Sequence, residues 1–189
     1  MSNFKKLSIE EFLKNLSSKN PTPGGGTVAA LSGAFAASLV IMVSELTIGK
    51  KGYENYWQEM KKVKSEARGY RESFLSLADK DSKAFDKVVE SFKISHSDGD
   101  RVVKIQKAFK EATEIPLETA LISFKVYNLA KQIEKRGNKN AVSDARVSQN
   151  MAKAAVLSAL ENVKINLTSI KDKKWSEKIW KKVAELEAI

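Results

Sequence analysis

Pro21-Thr22-Pro23-Gly24-Gly25-Gly26-Thr27, with the small-residue run over residues 28–38 behind it, is the stretch whose reading decides the fold. Two prolines and three consecutive glycines cannot sit inside a helix, so the sequence predicts a turn with unusual dihedral freedom. The run that follows is apolar on every face and rich in Ala, Gly and Ser, and such a helix must be surrounded by others. Ala29, Gly33 and Ala37 recur every four residues, which suits close helix packing. A loop poor in side chains at the start of a buried helix also offers bare amides to a ligand's oxygens. Close packing or a hinge accounts for Gly24, Gly25 and Gly26 as well, and on these residues alone both readings stand.

Upstream, Ser8-Ile9-Glu10-Glu11 has the capping-box pattern and opens a short helix with Ile9, Phe12, Leu13 and Leu16 as its apolar face. Downstream, the buried helix is expected from about residue 27 to about residue 48, where Gly49-Lys50-Lys51-Gly52 breaks it. Residues 53–94 then read as one very long helix. Its apolar positions recur at helical spacing through Tyr53, Trp57, Met60, Ala67, Tyr70, Phe74, Leu77, Ala84, Phe85, Val88 and Phe92. Asp81 falls on that core-facing stripe, and acidic residues are almost never buried without a partner or a task. Asp79, one position round, is expected at the surface.

Ser95 to Asp100 forms a polar turn in which Asp98 or Asp100 caps a helix reaching about Arg136, with Val102, Ile105 and Phe109 inward. Pro116 should kink that helix and Gly137 should stop it. After a polar loop, Ser143 or Asp144 starts a helix that places Val147, Met151, Ala154, Ala155 and Ser158 on one face, continued by Asn162, Ile165 and Ser169. Asn162 thus takes an apolar position, with Asn166 one turn on. Buried amides either stitch helices together or read a polar ligand. A last amphipathic helix over residues 173–187 turns Trp175, Ile179, Val183 and Leu186 inward. Alternating β-branched runs are absent. The expectation is an all-α, up-and-down bundle of about six helices, one of them very long, in a single domain over residues 1–189.

Composition narrows the chemistry. The 189 residues are 42% hydrophobic and 30% charged, ordinary for a soluble globular chain. With no cysteine and a single histidine, His96, neither a thiolate nucleophile, a His/Cys zinc site nor a His-dependent triad can be assembled. No paired carboxylate motif marks a metal site, so no metal is expected. The formal charge of +10 comes mainly from lysines mixed with Glu and Asp, which suits a solvated face better than nucleic-acid readout. The first seven residues lack the apolar core of a secretory signal. Residues 28–43 fall short of the ~20 apolar residues of a membrane span. The reading is a cytoplasmic protein without a membrane or nucleic-acid partner.

Several landmarks occur in one order: Pro23-Gly24-Gly25-Gly26-Thr27-Val28-Ala29-Ala30, Leu77-Ala78-Asp79-Lys80-Asp81-Ser82-Lys83-Ala84-Phe85, and Ala112-Thr113-Glu114-Ile115-Pro116-Leu117. Gly137-Asn138 with Ala141-Val142-Ser143-Asp144, then Asn162-Val163-Lys164-Ile165-Asn166, complete the set. Together they resemble the formiminotetrahydrofolate cyclodeaminase family, over nearly the whole chain. Thr27 stands where that family often has Ser, which keeps the hydroxyl.

The resemblance implies an all-α homodimer that binds a tetrahydrofolate derivative, its substrate, in a cleft at the subunit interface. The family reaction closes 5-formiminotetrahydrofolate to 5,10-methenyltetrahydrofolate with release of ammonia; related members hydrate the methenyl bridge to 10-formyltetrahydrofolate. It also implies that Asp81 is the catalytic carboxylate. Gly24, Gly25, Gly26 and Thr27 would bind substrate oxygens. Asn138, Ser143, Asp144, Asn162 and Asn166 would complete the substrate site, and the positive charge suits a glutamate or polyglutamate tail. A cyclohydrolase on the same scaffold is the first alternative. The second, a basic helical module for nucleic acid or protein, leaves Asp81 and Asn162 unexplained.

Overall fold

Ser8 opens the first helix with the expected reciprocal cap. In the computed structural model, which describes residues 4–189, its Oγ accepts the Glu11 N–H at 3.2 Å. The Glu11 carboxylate accepts the Ser8 N–H at 2.8 Å. This helix, α1, spans Ile9–Leu16. The others are α2 (Gly25–Glu45), α3 (Trp57–Phe92), α4 (Arg101–Arg136), α5 (Val142–Leu167) and α6 (Lys173–Glu187). No strand occurs among the described residues, and the all-α reading holds. The expectation for residues 1–3 lies outside the described residues.

α2 is the central element, packed against α3, α4 and α5. Its small residues let neighbours approach: a Cβ on Gly33 would meet the fully buried Phe74 ring of α3 at 2.5 Å. Phe74, Met60, Val40, Val43 and Val126 form one core on this side. A second core joins Leu117 of α4 and Leu160 of α5 to Ile179, Val183 and Leu186 of α6. Two expectations for α2 need correction. Gly25 and Gly26 are its first helical residues rather than part of a preceding turn, because helix N-termini tolerate residues that interiors do not. At 21 residues it is also long and apolar enough to cross a membrane. Packing, not shortness, makes it a core helix.

α5 shows a third correction. The residues it buries are Ala145, Ser148, Ala152, Ala155, Val156, Ala159, Leu160, Val163 and Leu167. The stripe through Val147 and Ile165 lies on the open side instead. Alanines allow the close α2–α5 approach, seen in the 2.9 Å bond from Ser148 Oγ to the Ala36 carbonyl. Large side chains would hold the helices apart. Phe85, Phe92 and Val102 are likewise exposed rather than inward, because α3 and α4 run beyond the central packing towards their connecting turn.

Pro116 removes the N–H that would bond the Ala112 carbonyl. Asn166 of α5 replaces it, its Nδ2 donating to the Ala112 oxygen at 2.8 Å. At the other end of α2, Asn138 ties the turn to the α4–α5 connection. Its side chain donates to the Leu46 carbonyl at 3.1 Å and accepts from Lys50 Nζ at 3.0 Å. Many lysines pair with neighbouring carboxylates, as in Lys64–Glu45, Lys104–Asp98 and Lys164–Glu187. Exposed pairs of this kind contribute little each, and they account for a solvated basic surface.

Candidate active site

The first turn of α2 has no cap of its own. Gly24 at the N-cap has no side chain to accept the free amides. Asp81, from the middle of α3, fills that role. Thr27 Oγ1 donates to Asp81 Oδ2 at 3.0 Å, and the Thr27 backbone adds a weaker interaction with the same carboxyl. Gly26 is required by this contact, since a Cβ there would lie 2.1 Å from Asp81 Oδ1.

Around the carboxyl is a cavity of about 350 Å³. Asp81, Gly24, Gly25, Gly26, Asn162 and Asn166 form its polar part; Phe85, Val88, Phe109 and Ile165 supply apolar walls. Burial pushes the Asp81 carboxyl above the ordinary carboxylate range, and the Thr27 hydrogen bonds only partly offset that rise. A carboxyl whose proton is held more tightly in this way is better suited to donating it as well as taking it back.

Asn162 Nδ2 donates to the Ser158 carbonyl at 2.9 Å, which fixes the side chain at the cavity wall close to Gly25. Asn166 divides its amide between the Ala112 carbonyl and the cavity. Thr27 is fully buried and does not line the cavity. Its hydroxyl serves the carboxyl.

Asn138, Ser143 and Asp144 are not brought to this cavity. They lie at the far end of the α2–α5 pair; Asp144 is about 27 Å along α5 from Asn162 at the usual helical rise. Asn138 is buried with its amide engaged in the α4–α5 turn. Asp79 is not a simple surface residue: it accepts the Phe4 N–H at 2.9 Å and anchors the N-terminal segment.

The apolar walls were missed in part. Phe85 carries a legible signal, one helical turn beyond Asp81 on the same face. Phe109 and Ile165 do not, since their place depends on how α4 and α5 align with α3. Among the described residues, no group of three or more His, Asp or Glu side chains is arranged to hold a metal ion.

The fold is thus an all-helical bundle with a buried carboxyl at the edge of a half-apolar cavity. The chain belongs to the formiminotransferase-cyclodeaminase family, whose model matches residues 8–185. A methenyltetrahydrofolate cyclohydrolase of Methylorubrum extorquens is 38% identical over 186 residues, covering 96% of this chain and 88% of that protein. A formimidoyltransferase-cyclodeaminase of Gallus gallus is 31% identical over 93% of this chain, which spans only 33% of that protein. The crystal structure of a formiminotetrahydrofolate cyclodeaminase from Thermotoga maritima superposes with a TM-score of 0.91 at 32% identity. That match covers 98% of this chain and 90% of the other. The chain is therefore a folate one-carbon enzyme of the cyclodeaminase and cyclohydrolase family.

Proposed function

We propose that this chain closes 5-formiminotetrahydrofolate to 5,10-methenyltetrahydrofolate and releases ammonia, with Asp81 as its proton-transfer group. The observation that carries the proposal is the Asp81 carboxyl, raised by burial and bordering a cavity that has no other titratable lining residue among the described residues. N10 attacks the carbon of the formimino group in its protonated, formiminium form, and the new C–N bond gives a tetrahedral centre that carries a neutral amino group. The carboxyl delivers its proton to the departing amino group, the C–N bond to that group breaks, and the carboxylate takes the proton from N10. One carboxyl thus completes both transfers and is restored.

Phe85, Phe109 and Ile165 suit the faces of a pterin, while Asn162 and the Gly24–Gly26 backbone suit its polar edges. Ser143 and Asp144 reach a bound folate only from a second subunit. A homodimer is part of the proposal, supported by Phe35, Met42 and Leu46, exposed along one side of α2. Light scattering of the purified protein tests it: a dimer is expected, and a strict monomer removes Ser143 and Asp144 from the site.

A second reading, methenyltetrahydrofolate cyclohydrolase, is favoured by the name of the Methylorubrum relative, which this chain matches over nearly its whole length. There Asp81 takes a proton from the water adding to the methenyl carbon. Assays with each folate separate the two: ammonia release from the formimino substrate supports the first reading, and activity confined to the methenyl substrate moves the assignment to the second.

A further inference from the structure

We infer that Thr27 is a positioning residue, whose hydroxyl holds Oδ2 of Asp81 and so fixes the orientation in which the carboxyl meets the cavity. The kinetic part of this inference rests on the proposed role of Asp81; the geometric part does not.

Thr27 cannot meet a ligand directly, because it is 0% exposed. Its hydroxyl also behaves unlike most others on these helices. Ser38, Ser44, Thr113, Thr119 and Ser123 each donate to the carbonyl four residues back in their own helix. Thr27 instead reaches across to α3 and donates to Asp81 Oδ2 at 3.0 Å. Its β-branch restricts χ1, so the hydroxyl is held in that direction. Beneath the carboxyl lies Gly26, whose missing side chain makes room for it. Gly26 sets the depth of the carboxyl and Thr27 sets its rotation. The carboxyl so held borders the cavity, with Oδ2 on the Thr27 hydroxyl and Oδ1 over Gly26.

Among the described residues, no other charged side chain lines the cavity. α2 presents Gly24, Gly25 and Gly26 to the cavity, α4 presents Phe109 and Ala112, and α5 presents Asn162, Ile165 and Asn166. The nearby Lys80, Lys83, Glu111 and Glu114 line a separate groove between α3 and α4. Removing the Thr27 hydroxyl removes a donor that favours the charged carboxylate, so Asp81 should release its proton at higher pH.

The test compares Thr27→Val with Thr27→Ser in two measurements. The first follows the Asp81 carboxyl by carbon NMR against pH in the folate-free protein, assigned by its loss in Asp81→Asn. The second records the pH profile of kcat/KM. For Thr27→Val, the carboxyl titration and the kinetic limb belonging to Asp81 should both move to higher pH. Thr27→Ser should restore the native values, and Thr27→Ala should repeat the valine result if valine impairs folding. An unmoved carboxyl titration in the folded Val or Ala variant, or a serine variant that resembles them, overturns the inference. A shifted titration with an unmoved kinetic profile upholds the hydrogen bond's role and counts instead against Asp81 as the proton-transfer group.

Discussion

The Asp81 carboxyl rests on the backbone of Gly26, so close that a Cβ there would lie 2.1 Å from Oδ1 and 2.6 Å from Cγ. The glycine's role is space: its contact is with a side chain from another helix. Gly26→Ala must therefore push the carboxyl off its seat while leaving the hydrophobic cores untouched. Turnover should fall by about 10²-fold or more, as expected when a reacting group is displaced by an ångström. Circular dichroism should show an intact helical fold. Native turnover in a folded Gly26→Ala protein would contradict this placement.

Asp81→Asn keeps the shape and an acceptor for Thr27 but cannot transfer a proton. A loss of about 10²–10⁴-fold in kcat is expected, the usual contribution of general acid–base catalysis. Steady-state kinetics on the folded variant measure it.

Stability should carry the signature of the same carboxyl. Burial raises Asp81 in the folded state, so the native protein holds this proton more tightly than the unfolded chain. Below the unfolded-state value both forms are protonated and the group has no effect. As pH rises from that value through the raised native one, this group's contribution lowers stability. Asp81→Asn lacks that contribution and should gain on the native protein across that window, as measured by urea unfolding at a series of pH values. A difference that stays flat with pH would refute the desolvated carboxyl.

The Pro116–Asn166 relationship calls for a double-mutant cycle. Asn166→Ala leaves the Ala112 carbonyl bare and should cost about 1–3 kcal/mol. In a Pro116→Ala background the restored N–H can take that carbonyl, so the same substitution should cost less. Additive effects in urea unfolding would show that Asn166 is not compensating for the proline.

Gly33→Ala tests the close packing of α2. Its Cβ would meet the fully buried Phe74 ring at 2.5 Å, and an added methyl in such a site costs about 1–3 kcal/mol. Thermal unfolding should show a lower Tm with folate turnover retained below the transition.

Much of the architecture was legible because the signals were local. The Ser8 capping box, the Gly137 stop and the inward Ile179, Val183 and Leu186 of α6 each depend on spacing within one segment. Asp81 stood out for a similar reason, a carboxylate inside an apolar period. The face of α5 did not, because two adjacent stripes are both apolar and only the approach of α2 selects the alanine-rich one. Thr27 read as a ligand-binding hydroxyl because its partner lies 54 residues away, on another helix. Asn138 and Asn166 carry the same lesson: a buried amide announces that it needs partners, and only the fold says whether those partners are backbone or ligand.

The most direct measurement pairs the two folates with native protein and Asp81→Asn. The account predicts that native protein given 5-formiminotetrahydrofolate raises the methenyl absorbance and releases ammonia in equal amounts. Asp81→Asn, folded to the same extent, should do neither at a comparable rate. Ammonia release that survives the substitution unchanged would contradict the central claim that the Asp81 carboxyl carries the proton.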